Sequence, residues 1–208
     1  MTKAVFFGAS TVEGVGASAP DRRFSAIVAQ VMGWEEINLG LGGTCVTGRD
    51  EAGQVTDEDS GLGRVPDVLA AAPDFVLVLH GANDFGQSRE LGDPAQFRQG
   101  TFLWDYDTMI RGLLFELQPA QVALCTCAYR ADATTPNARG LTLSDYNQIV
   151  KNVGERYGLR VLDAYADAGM DSDNWHKLSD DGIHPNDDGH QCLAAFVIQA
   201  LHEKPLVL

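Results

Sequence analysis

Five residues spread along this 208-residue chain are of the types that nucleophilic chemistry at a carbonyl requires: Ser10, Gly43, Asn83, Asp181 and His184. A serine hydroxyl is too weakly acidic to attack unaided and needs a base within hydrogen-bond reach. His184 suits that task, because an imidazole, with an ordinary pKa of about 6.5, accepts and returns a proton near neutrality. Asp181 comes three residues earlier. From there a carboxylate in a tight loop can fold back onto the Nδ1–H, fixing the tautomer and stabilising the imidazolium. Pro185 biases His184 away from helical dihedrals. A developing oxyanion needs aimed donors, and the N–H groups of Ser10 and Gly43 with the amide of Asn83 could supply them. Each residue also has an ordinary use: Ser10 as a helix cap, Gly43 at positive φ, Asn83 in an Asx-turn, Asp181 capping a turn, His184 on the surface. What favours chemistry is their joint position, since all of them fall in segments that follow expected strands.

Those strands come from the hydrophobic pattern. Lys3 to Phe7 reads as the first, with Gly8 allowing a turn beside Ser10. Phe24 to Met32 is an amphipathic helix stopped by Gly33, and residues 36–39 form a short second strand emptying into a glycine-dense loop. Residues 49–63 are acidic and Gly-rich, as expected of an exposed loop on the rim of a site. A helix over 65–72 leads to the continuously apolar strand Phe75 to Leu79, the pattern of a strand covered on both faces. Residues 85–100 read as a polar rim, 104–117 as a helix, 121–127 as strand four and 129–140 as a loop. A helix over 143–157, capped by Ser144, precedes strand five at 159–162, and a polar stretch to Ile183 leads into a closing helix over 187–204.

This alternation predicts one α/β domain spanning 1–208, a doubly wound parallel sheet with helices on both faces. With strand order 2-1-3-4-5, strands one and three flank the crevice beyond the carboxyl ends, so Ser10 and Asn83 would stand on opposite walls of one site.

Composition narrows the partners. A formal net charge of -14, from 15 basic against 29 acidic residues, lacks the basic footprint of a nucleic-acid binder and disfavours an anionic membrane surface. Four apolar residues before Gly8 are too few for a secretory leader, and no run approaches a membrane span. The four cysteines form no CxxC pair, so neither a zinc site nor a disulfide framework is expected, and the reading is a cytoplasmic, reducing location. The spacing of Gly8, Gly14 and Gly16 fits neither a dinucleotide fingerprint nor a P-loop. Asp181, His184, Asp187, Asp188 and His190 include metal-ligand types, but Asp187 and Asp188 suit the dipole of a helix start, so no metal and no cofactor is expected.

Gly8-Ala9-Ser10-Thr11, Asn38 to Thr44, Gly81 to Asp84 and Asp181 to His190 resemble, in order and spacing, the four blocks of the SGNH hydrolases, also called GDSL esterases and lipases. The resemblance implies a flavodoxin-like three-layer fold, no metal, and hydrolysis through an acyl-serine intermediate. It puts the catalytic serine on Ser10, the triad partners on Asp181 and His184, and the oxyanion hole on Ser10, Gly43 and Asn83. Gly43 is preferred over Gly42 because it lies five residues after Asn38. One departure stands out: the family's first block usually reads Gly-Asp-Ser, and here Ala9 replaces the aspartate that braces the serine loop. The expected activity is hydrolysis of acetyl or short-chain acyl esters, with carbohydrate esters as candidates. Alternatives are a lysophospholipase or acyl-thioesterase of the same fold, or a non-catalytic ligand-binding relic.

Overall fold

The computed structural model describes residues 1–48 and 56–203. Five parallel strands form one sheet in the order β2-β1-β3-β4-β5, where β1 is Lys3–Gly8, β2 Glu35–Gly40, β3 Phe75–Leu79, β4 Val122–Cys125 and β5 Arg160–Leu162. Between them run α1 (Ser10–Glu13), α2 (Phe24–Met32), α3 (Val65–Ala70), α4 (Ala82–Gly86), α5 (Phe102–Leu114) and α6 (Leu143–Tyr157), followed by α7 (Ala164–Asp167), α8 (Trp175–Leu178) and α9 (Asp187–Glu203). The α/β architecture is the one expected from the alternation of elements, and the strand order is that of the flavodoxin-like fold the resemblance implies.

The core is built by alternation along β1, whose residues Ala4 to Phe7 are wholly buried. Phe6 meets Phe24 of α2 edge-on at 5.9 Å, whereas Phe7 meets His80 on the opposite face at 5.0 Å. Helices α2 and α9 pack together, and α5 packs against both α3 and α6. Burying a strand on both faces in this way removes its apolar surface from water at about 25 cal/mol per Å2.

Register sets the level of the site. Gly8 pairs with both Gly40 and Leu79, so β1, β2 and β3 end together and their following segments emerge side by side. Glycine at position 8 is demanded by contact, since a Cβ there would come within 2.4 Å of the Leu79 carbonyl oxygen.

Several local expectations are corrected. The helix of 143–157 is capped by Thr142, not Ser144, through a reciprocal box with Asp145. Residues 85–100 do not begin as an irregular rim, because Asn83, Asp84 and Phe85 lie in α4 and Phe85 is buried. The polar stretch before Ile183 contains α7 and α8. Of the expected rim loop at 49–63, residues 49–55 fall outside the described residues, and Ser60 and Gly61 are buried, the Gly61 N–H donating to the Cys45 carbonyl at 2.8 Å. Lys204 also falls outside them.

Candidate active site

Ser10 is the first residue of α1, one step past the cap position, which Ala9 fills without a side-chain hydrogen bond. Its hydroxyl is therefore not used for capping. Four contacts hold the turns on either side of Ala9 and Ser10. The Gly8 carbonyl accepts from Leu41 N–H at 3.1 Å and from an Arg64 Nη at 3.1 Å. Asn38 donates its amide to the Val12 carbonyl and to Ser25 Oγ.

The second half comes from the loop between α8 and α9. His184 Nε2 lies 3.0 Å from Ser10 Oγ across 174 positions of sequence, and His184 Nδ1 lies 2.7 Å from Asp181 Oδ2. The other carboxylate oxygen of Asp181 accepts the N–H groups of Ile183 and His184, each at 2.7 Å. Asp181 thus caps its own turn and orients the imidazole at once. Partial desolvation pushes its carboxyl up, but the hydrogen bonds from the His184 backbone and ring and from Ile183 outweigh this and hold it well below the usual carboxylate range. The loop itself is pinned through the Gly182 carbonyl, which accepts from Trp175 Nε1 and Ala131 N–H, both at 2.8 Å.

Gly43 and Asn83 stand on the same cleft as Ser10 and His184. Gly43 adopts φ +77°, a left-handed conformation that favours glycine, and a Cβ there would meet nothing within 4 Å. Backbone shape is what selects glycine here. Asn83 donates one amide hydrogen to the Thr44 carbonyl at 2.9 Å, fixing the side chain and leaving a second hydrogen on the same nitrogen. The loop behind Gly43 hangs on Asp84, which is wholly buried and accepts Val46 N–H at 2.9 Å, Thr47 N–H at 3.1 Å and the Thr47 hydroxyl at 3.1 Å. Burial raises the Asp84 pKa to about 6 against the pull of those bonds. All five residues singled out from the sequence therefore meet at one edge of the sheet.

Sequence reasoning missed Arg64. Only 9% exposed, its guanidinium binds the carbonyls of Gly8, Leu39 and Asp59 at 3.1, 3.0 and 2.9 Å and lies 5.0 Å over the Phe7 ring. It ties the exit of β1, which carries Ser10, to the exit of β2, which leads to Gly43. Desolvation lowers its pKa, with Asp67, Asp59 and Asp57 opposing, and arginine stays protonated regardless. His190 Nδ1 accepts the Phe24 N–H at 3.3 Å, and Asp187 accepts both the Ser18 N–H and the Ser18 hydroxyl. Those contacts join α9 to the segment after Ser10.

The arrangement can pass a proton from a hydroxyl to an imidazole braced by a carboxylate, beside hydrogen-bond donors on a shared cleft. A model of the GDSL-like lipase/acylhydrolase family matches residues 6–192. An acetylxylan esterase of Xylanibacter ruminicola is 30% identical over 154 residues, 65% of this chain and 30% of that protein. An acetylxylan esterase of Geobacillus stearothermophilus is 28% identical over 133 residues, 62% of this chain and 59% of its own length. The chain thus spans less than two thirds of either relative. Among solved structures, the lipase/acylhydrolase from Enterococcus faecalis is similar with a TM-score of 0.70 at 23% identity, covering 98% of this chain and 97% of its own.

Proposed function

The chain belongs to the GDSL-like lipase/acylhydrolase family, and from that premise we propose that it is a serine esterase hydrolysing small carboxylic esters through an acyl-serine intermediate. The observation that carries the reading is the continuous relay from Ser10 Oγ to His184 Nε2 at 3.0 Å and from His184 Nδ1 to Asp181 Oδ2 at 2.7 Å. Ser10 Oγ attacks the ester carbonyl as His184 takes its proton, and the charge that develops on the carbonyl oxygen is met by the N–H groups of Ser10 and Gly43 and by Asn83 Nδ2. The carbon–oxygen bond to the alcohol then breaks, and His184 returns the proton to the departing alkoxide. Water attacks the acyl-serine by the same relay, releasing the acid and restoring the hydroxyl.

Acetyl and short-chain acyl esters are the proposed substrates, acetylated carbohydrates among them, because both curated relatives are acetylxylan esterases. Turnover of a chromogenic acetyl ester is expected in the wild type and is expected to fall by about three to six orders of magnitude in Ser10→Ala. A wild type inactive on every acyl chain length would leave a ligand-binding module instead.

A further inference from the structure

Two cavities of very different size flank Ser10 and His184. One is an open cleft of about 350 Å3, which Val15, Gly43, Gln87 and Arg130 help to line. The other is a recess of about 30 Å3 whose apolar wall includes Leu79, Cys127, Tyr129, Trp175 and Ile183. Resting on the esterase reading, we propose that the recess receives the acyl group and limits it to acetyl, while the open cleft receives the alcohol.

Volume decides the assignment. A space of about 30 Å3 has room for about one or two waters, hence for the methyl of an acetyl group. A hexanoyl tail adds four methylenes that would have to displace packed side chains. The recess cannot widen easily. Leu79 and Cys127 are 4% and 2% exposed, Trp175 is 4% exposed with its indole N–H bound to Gly182, and Tyr129 packs edge-on against Trp175 at 5.9 Å.

The cleft is the more open of the two, and Arg130 and Ile183 line both. Arg130 is held by Asp132 through two contacts and donates to the Ala82 carbonyl, so its charge is already met. Gln87 is exposed and donates to the Gly43 carbonyl at 3.3 Å. An open, solvent-facing cleft leaves room for an alcohol larger than the acyl group.

The test is an acyl-length series on one alcohol: the acetate, butyrate and hexanoate of p-nitrophenol. In the wild type kcat/KM should fall by about tenfold or more from acetate to hexanoate. Tyr129→Ala and Cys127→Ala each remove wall without touching the Trp175 bond that anchors the Asp181 loop. Each should raise the ratio of longer-chain to acetate kcat/KM by about tenfold, since one methylene in a tight pocket is worth that order. Hexanoate hydrolysed as well as acetate by the wild type would overturn the proposal. So would a preference for methyl esters of large acids over acetates of large alcohols, which would reverse the two cavities. In either case loss of all turnover in Ser10→Ala would leave the esterase reading standing, whereas acetate hydrolysis surviving in Ser10→Ala would remove that reading itself.

Discussion

Arg64 holds two walls of the site together with a single side chain. Aspartate is missing at position 9, and the guanidinium takes up two strand exits at once by binding the Gly8 and Leu39 carbonyls. Lysine carries the same charge but only a point donor on a flexible stem, so it cannot span both carbonyls. Arg64→Lys is therefore expected to lower kcat by about ten- to a hundredfold, the loss of one or two charge-assisted bonds, with KM moving far less. Steady-state kinetics separate the outcomes: kcat retained within about twofold would mean that the bonds at Gly8 and Leu39 do not position the nucleophile. Nothing in the sequence announces this role. Arg64 stands before an apolar helical pattern and looks like an ordinary surface cation, and two of its three carbonyl partners, Gly8 and Leu39, lie on strands far away in the chain. Asn83 was legible for the opposite reason, since it sits directly past an apolar strand whose end had to face the crevice.

At the level of elements, the long periodic segments were readable and the short ones were not. Helix α2 and strand β3 have the bounds expected, because Gly33 and the flanking polar residues stop them cleanly. Helices α4, α7 and α8 have 5, 4 and 4 residues, too few to show a 3.6-residue repeat. The cap of α6 was misplaced by two residues although Thr142 followed by Asp145 carries the capping-box spacing. The expected rim loop turned inward at Ser60 and Gly61, where contact with the β3 exit outweighs a polar composition.

His80, at that exit, predicts a pH effect on the fold. Its ring is buried with neither nitrogen bonded to a described residue, and burial, helped by the nearby Arg64 charge, pushes its pKa down to about 3. The unfolded chain takes up this proton near the ordinary histidine value of about 6.5, so the folded state loses stability as pH falls from there toward 3. Asp84, raised to about 6, contributes the opposite sign over the acid side of that window. Comparison with His80→Leu cancels the Asp84 contribution. Urea midpoints at pH 7 and pH 4.5 should show the variant gaining about 2–3 kcal/mol on the wild type as the medium is acidified. A gap that does not change with pH would mean that His80 titrates normally.

Across the whole molecule, the formal net charge of -14 bears on what can approach. A neutral ester such as phenyl acetate should show kcat/KM independent of ionic strength. The acetate of a carboxylate-bearing phenol should be repelled at low salt, its kcat/KM rising severalfold between about 0.01 and 0.15 M as the field is screened. A fall with salt would place a positive field over the cleft. The meeting of Ser10 with His184 was legible in advance because sheet order and motif order both send them to the same edge. The sizes of the two cavities were not, because the recess wall gathers β3, the segment after β4, α8 and the loop before α9, whose packing no spacing rule encodes.

The proposed reaction requires that Ser10 become the acylated nucleophile with His184 as its base. A serine-directed fluorophosphonate followed by peptide mass analysis tests it most directly. One adduct is expected, on the peptide containing Ser10, absent in Ser10→Ala and formed far more slowly in His184→Gln. An enzyme that hydrolyses acetyl esters while Ser10 stays unlabelled, or is labelled at an undiminished rate without His184, would contradict it.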